Sequence, residues 1–302
     1  MGGPLTRRLA ALAVALALAF GGLAAPASAA APKVLAKKPY YLSLHKAEGP
    51  ALGTVMLLHG GGWKGDLGAG ADDVMREWID RLTGWGWDVA NLGYRSGVDS
   101  LADVFLALDR VRNRIGPDER LCLFGGSAGA HLALTAAARR GAEVDCVVDL
   151  LGPPDLVEWG ERPAAQMGRR LAVETFGERH LAELSPINMA DQIEPPVLVA
   201  ATPCDVFIDI AAQERFAEAL EAAGNDVTYQ VIDEGEDVPL AHCNVEAASF
   251  DEFLAVAERF LAGEPTPDAI DDEESGPWLL VALAVVAAVG AGGIAAWRTR
   301  GR

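Results

Sequence analysis

Short apolar runs alternate with amphipathic ones through the middle of the chain. "GTVMLLHGG" predicts a strand entering a loop, "ADDVMREWIDRLTGWG" a helix closed by glycine, "WDVANLGY" a strand, and "SLADVFLALDRVRNRIGP" a helix with a serine cap and a Gly-Pro stop. The order repeats in "RLCLFGG", "AGAHLALTAAARRG" and "VDCVVDLLG", and resumes at "PVLVAAT", "AAQERFAEALEAAG", "VTYQVID" and "EAASFDEFLAVAERFLAG". Strands that are apolar on both faces and alternate with helices imply an α/β domain with a mostly parallel central sheet flanked by helices. Right-handed crossovers bring the loops after each strand to one edge, where such sheets bind ligands. Between 152 and 193 the alternation lapses. That stretch is too long for an ordinary connection, is helical in character and leaves the carboxyl end of a strand, so 153–193 is expected to be a lid-like insertion over the active edge.

The two ends depart from this pattern. Residues 1–30 hold Arg7 and Arg8, an apolar run, and Ala27 and Ala29 at signal-peptidase spacing, and are expected to be a signal peptide. Residues 278–297 are uncharged with a Trp at each border, and 298–302 are basic, which predicts a transmembrane helix with a cytoplasmic tail. An acidic, Pro-containing stalk at 263–277 joins that helix to the domain at 31–262. The expectation is therefore an exported, single-pass membrane protein with its domain outside the cytoplasm. The chain carries 43 acidic against 25 basic residues, and the arginines of its two ends account for part of the smaller number. So acidic a domain lacks the cationic density that phosphate binding needs, which argues against a nucleic-acid partner.

Candidate chemistry sits in the strand-to-loop junctions. "LCLFGGSAGAHLAL" places Ser127 in a GxSxG pattern between strand and helix, where glycines permit a tight turn that exposes the hydroxyl. Serine needs a base. Of the five histidines, His45 precedes the sheet core, His59 begins a glycine run, His180 lies in the insertion, and His131 is one turn along the helix from Ser127 and reads as a buried structural residue. His242 lies late in the chain between a strand and the last helix, which suits a base in the order serine, acid, histidine. Asp205, just after "PVLVAAT", is the candidate acid, with Asp209 and Asp237 as competitors. "LLHGGGWKGD" supplies a glycine run whose amides, at Gly61 and Gly62, can join that of Ala128 around an oxyanion. The phosphate-loop pattern GxxxxGK[ST] is absent from it, and neither a metal cluster nor a cofactor motif is read.

These motifs together resemble the α/β-hydrolase superfamily, in its carboxylesterase and lipase-like branch with an HGGGW oxyanion motif. The resemblance spans about residues 40 to 262 and rests on "HGGGWKGD", "NLGYRS", "GGSAGAHLAL", "LSPINMA" and the acid and histidine loops. It implies Ser127, Asp205 and His242 as triad, no cofactor, and a small or medium ester as substrate, drawn from envelope material if the domain is exported. The alternatives are a peptidase or amidase on the same scaffold and a non-catalytic surface binding protein. Trp63, Trp159, Met167 and Phe176 either line a pocket or pack the insertion onto the sheet.

Four cysteines complete the reading. If Asp205 and His242 touch, their neighbours Cys204 and Cys243 lie on adjacent loops at disulfide range. Cys122 and Cys146 sit on apolar strands as buried thiols or a second bond.

Overall fold

The computed structural model describes residues 31–240 and 242–266. Eight strands form one sheet: β1 (Lys33–Ala36), β2 (Tyr41–His45), β3 (Thr54–Leu58), β4 (Asp88–Gly93), β5 (Leu121–Gly126), β6 (Cys146–Leu150), β7 (Val197–Ala201) and β8 (Val227–Val231). Their order is β1-β2-β4-β3-β5-β6-β7-β8. The six from β4 to β8 run parallel, while β2 pairs antiparallel with β4 and β1 with β2. The inner strands are buried on both faces, as their continuous apolar runs require. In β3, for example, Met56 and Leu58 join one half of the core and Val55 and Leu57 the other.

Among the described residues, seven α-helices flank the sheet: α1 (Gly70–Val74), α2 (Arg76–Gly84), α3 (Asp99–Ile115), α4 (Ala128–Arg140), α5 (Pro163–Phe176), α6 (Ile210–Ala222) and α7 (Ala247–Ala262). The first half of the core takes Val104 and Leu108 of α3, Leu132 of α4 and Phe216 of α6. Leu82 of α2 and Phe253 of α7 belong to the second. α3 shows the local logic: Val104, Ala107, Leu108 and Val111 are buried at helical spacing, and Gly116 ends the helix with a positive φ of 93°. Ser100 does not cap it but lies inside the first turn, because the helix begins at Asp99.

Three features were not visible in the pattern of apolar residues. The helix expected over "ADDVMREWIDRLTGWG" is broken at Met75 into α1 and α2. β1 and β2 add an antiparallel edge from a Lys- and Pro-interrupted stretch. The segment read as a loop around His242 is a separate antiparallel hairpin, β9 (Glu234–Leu240) with β10 (Cys243–Val245). β9 is acidic, largely exposed and contains Pro239, and β10 is only three residues long, so neither carries the signature of a buried strand.

The membrane reading is corrected. No helix among the described residues is long and apolar enough to cross a membrane. The described helices instead put an apolar face on the sheet; even α3, with 17 residues, is amphipathic. The expected span at 278–297 lies outside the described residues, as do 1–30, 298–302 and most of 263–277. The single-pass topology, the membrane as partner and the extracytoplasmic placement find no spanning helix among the described residues and are not carried further. The sheet belongs to a unit that ends at Pro265; a second unit comprises Thr266–Arg302.

Candidate active site

Ser127 connects β5 to α4 with φ 52° and ψ −121°, a left-handed conformation that costs any residue with a side chain. The surroundings enforce it. Its amide donates to Leu150 O at 2.8 Å, and its carbonyl accepts from the amide of Ala130 at 2.9 Å. A Cβ at Gly125 would lie 2.4 Å from the amide nitrogen of Ala130, and one at Gly129 2.2 Å from Leu58 O. Glycine is therefore obligatory on both sides of the serine, which is why the turn can close against β3.

Asp205 and His242 meet this hydroxyl from the next loops. Asp205 sits beyond the end of β7, 2% exposed, and its Oδ1 accepts from the amides of Phe207 at 2.7 Å and Ile208 at 2.9 Å. Its Oδ2 lies 2.6 Å from His242 Nδ1, and His242 Nε2 lies 2.9 Å from Ser127 Oγ. A carboxylate only accepts, so Nδ1 carries the proton and Nε2 accepts from the serine. Asp209 instead caps α6 by accepting from the amide of Ala211, and Asp237 is exposed on β9. A Cys204–Cys243 disulfide, with Cα atoms 5.9 Å apart, crosses between the same two loops. Cys122 and Cys146 are directly opposite on β5 and β6 and form a second disulfide within the core.

The glycine run after β3 lies beside the elbow. A Cβ at Gly60 would come 3.2 Å from Ser127 Cβ, so Gly60 packs directly against the serine, and nothing in three successive glycines marks it out. Gly61 and Gly62 follow with φ of 107° and 62°. The run is held from behind: Tyr94 donates to His59 O at 2.8 Å, and the rings of His59 and Tyr94 stack at 4.0 Å. Burial pushes the His59 imidazole down to about 4. Arg95, next in "NLGYRS", grips the buried Asp103 of α3.

The insertion contains α5 and two short 3₁₀ turns, Glu178–His180 and Pro186–Gln192. Of the candidate pocket residues, Trp63 and Phe176 are buried, with ring centroids 5.4 Å apart, and thus pack core rather than line a cavity. Met167 is exposed. Trp159 does line a cleft of about 190 Å³, together with Phe207, Asp155, Asp209 and Arg215. Phe207, absent from the sequence-based candidates, lines this cleft and also contacts His242, its ring 4.9 Å from the imidazole. Behind the elbow, Asp149 on β6 is fully buried, accepts from the amide of Gly152 at 2.8 Å and has a carboxyl pushed up to about 7 by burial.

Known proteins share this architecture. The chain is 27% identical over 244 residues to dipeptidyl aminopeptidase BIII of Pseudoxanthomonas mexicana, an alignment covering 72% of the chain and 34% of that relative. It thus spans about a third of the relative's length. Among solved structures, a puromycin-hydrolyzing peptidase of Mycobacterium tuberculosis superposes with a TM-score of 0.64 at 20% identity, covering 80% of this chain and 42% of that one. Esterase 2 of Thermogutta terrifontis, phosphonylated by sarin, superposes with a TM-score of 0.62 at 19% identity, covering 80% and 98%. At these identities the likeness is one of fold, the α/β-hydrolase fold. Residues 41–220, more than half of the chain, match the BD-FAE family, and the chain belongs to that family.

Proposed function

We propose that the protein is a serine hydrolase that cleaves small or medium carboxylic esters through an acyl-enzyme on Ser127. The observation that carries this reading is the unbroken line from Asp205 Oδ2 through His242 to Ser127 Oγ, with spacings of 2.6 and 2.9 Å. Ser127 Oγ attacks the ester carbonyl as His242 Nε2 takes its proton, and Asp205 stabilises the imidazolium that forms. The carbonyl oxygen becomes an oxyanion, which the amide of Ala128 and those of Gly61 and Gly62 in the HGGGW motif are suited to receive. His242 then returns the proton to the departing alkoxide. Water, activated by the same imidazole, releases the acid and restores Ser127. The hydrolase domain is 31–262, and 153–193 covers its active edge as a lid.

Labelling with a fluorophosphonate tests the nucleophile: the intact protein is expected to label and Ser127→Ala to lose the label. An intact protein that stays unlabelled from pH 6 to 9 would favour a binding protein without turnover. A second reading, hydrolysis of amides, is favoured by the peptidase names of the relative and of one structural neighbour. The groups required are the same, so substrates must separate the two. Nitrophenyl esters are expected to turn over faster than aminoacyl nitroanilides, and the reverse preference would establish the amidase.

A further inference from the structure

His131 stands one helical turn beyond Ser127 on α4 and is completely buried. Both ring nitrogens are engaged: Trp63 Nε1 donates to Nδ1 at 3.1 Å, and Nε2 lies 2.8 Å from the main-chain oxygen of Leu184. An indole N–H can only donate and a carbonyl can only accept, so the ring is neutral with its proton on Nε2. Burial, which pushes this imidazole down to about 4, favours the same form. Phe176 closes the group, its ring 5.4 Å from those of both Trp63 and His131.

Three parts of the chain meet in this ring. Trp63 ends the glycine run and has a positive φ of 58°, His131 belongs to the helix that starts at the serine, and Phe176 and Leu184 belong to the insertion. We propose that His131 is a positioning residue that couples the insertion to the glycine loop and keeps that loop in register with Ser127. The ring cannot turn without leaving the buried Trp63 N–H unpaired or the Leu184 carbonyl without its donor, so the two ends are held together. The proposal rests on the serine-hydrolase reading, in which the place of the loop amides relative to Ser127 sets the rate.

Two amide side chains divide the functions of the ring. His131→Asn keeps an acceptor near the Nδ1 position but has no donor that reaches Leu184. His131→Gln keeps a donor near the Nε2 position but leaves the Trp63 N–H without its acceptor. With nitrophenyl acetate, His131→Gln and Trp63→Phe are each expected to lower kcat about tenfold, with KM within about twofold of wild type, since the loss is one of placement rather than binding. The double variant is expected to lose no more than either alone, and His131→Asn, which releases the insertion end, to lose kcat to a similar extent. Wild-type kcat in either His131→Gln or His131→Asn, or losses that multiply in the double variant, would overturn the coupling. Nitrogen NMR of the histidine rings reads the same arrangement in the unaltered chain even if a variant does not fold. A neutral Nε2–H ring is expected at pH 7, and an Nδ1–H or charged ring overturns the proposal. Fluorophosphonate labelling keeps the two failures apart. A wild type that neither labels nor turns over ester sinks the serine-hydrolase reading, whereas an active, labelled wild type with an indifferent His131→Gln sinks the coupling alone.

Discussion

The main-chain oxygen of Asp205 accepts a hydrogen bond from Arg162 Nη1 at 2.7 Å, so the residue that opens α5 grips the loop carrying the acid. This bond involves a charged donor and bears on the loop that aims the carboxylate at His242. Arg162→Ala is expected to lower kcat for nitrophenyl acetate by roughly threefold to tenfold, and Arg162→Lys to recover part of the loss. Steady-state kinetics on the purified variants would check this; unchanged kcat in Arg162→Ala would show that Asp205 is held well enough by the amides of Phe207 and Ile208.

The two disulfides are expected to act on different quantities. Cys204–Cys243 joins the acid and histidine loops across a sequence separation of 39, whereas Cys122–Cys146 is buried between neighbouring strands. Nonreducing peptide mapping should recover both links. Replacing Cys204 and Cys243 together with Ser is expected to lower turnover about tenfold with the far-ultraviolet spectrum unchanged, because the triad geometry loosens before the fold does. The same replacement at Cys122 and Cys146 is expected to reduce stability by about 2–4 kcal/mol while the folded fraction keeps its turnover. Free thiols throughout the purified protein would contradict both statements.

Stability should depend on pH in two opposing ways. Burial holds His59 and His131 neutral, each pushed down to about 4. The unfolded chain takes up both protons near the ordinary imidazole value of about 6.5, so their contribution is complete above that pH and is lost as pH falls toward 4. Asp149 runs the other way. Its carboxyl is pushed up to about 7, so the neutral form is favoured in the fold, and this contribution is complete below about 4 and is lost as pH rises through 7. Asp149→Asn, which mimics the neutral carboxyl, is expected to raise stability by about 1–3 kcal/mol at pH 8 and by clearly less at pH 5. Urea unfolding at both values would check the sign.

Adjacent glycines at the elbow should differ sharply. A Cβ at Gly125 would meet the backbone at 2.4 Å, whereas one at Gly126 meets nothing within 4 Å. Gly125→Ala is therefore expected to cost more than about 3 kcal/mol or to prevent folding, and Gly126→Ala to stay within about 1 kcal/mol of wild type. Thermal unfolding of the pair gives the comparison, and equal losses would mean that the elbow relaxes more than its packing suggests.

The sheet was legible because its inner strands are buried on both faces, so that runs such as "TVMLL" and "CVVDL" can hardly be anything but core. The elbow was legible for a related reason: Gly125 and Gly129 are required by contacts that a pattern of small residues records. What stayed hidden depends on tertiary packing. "HGGGW" does not reveal that Gly60 abuts Ser127 while Trp63 turns into the core. Similarly, the pairing of Cys122 with Cys146 follows from the register of β5 against β6, which neither strand encodes alone. The hairpin beside His242 escaped because exposed acidic strands carry little apolar signal.

The hydrogen bond between His242 and Ser127 spans 115 positions of the chain. The elbow, β5 and α4 can assemble from residues made early, but the imidazole arrives only with the hairpin that precedes α7. Long-range contacts of this kind form late in folding. A nascent or truncated chain that stops before the hairpin therefore displays a serine with no base within reach. In the proposed mechanism, competence for acyl transfer is expected to come only with completion of the domain, and unfinished copies to stay chemically silent during synthesis.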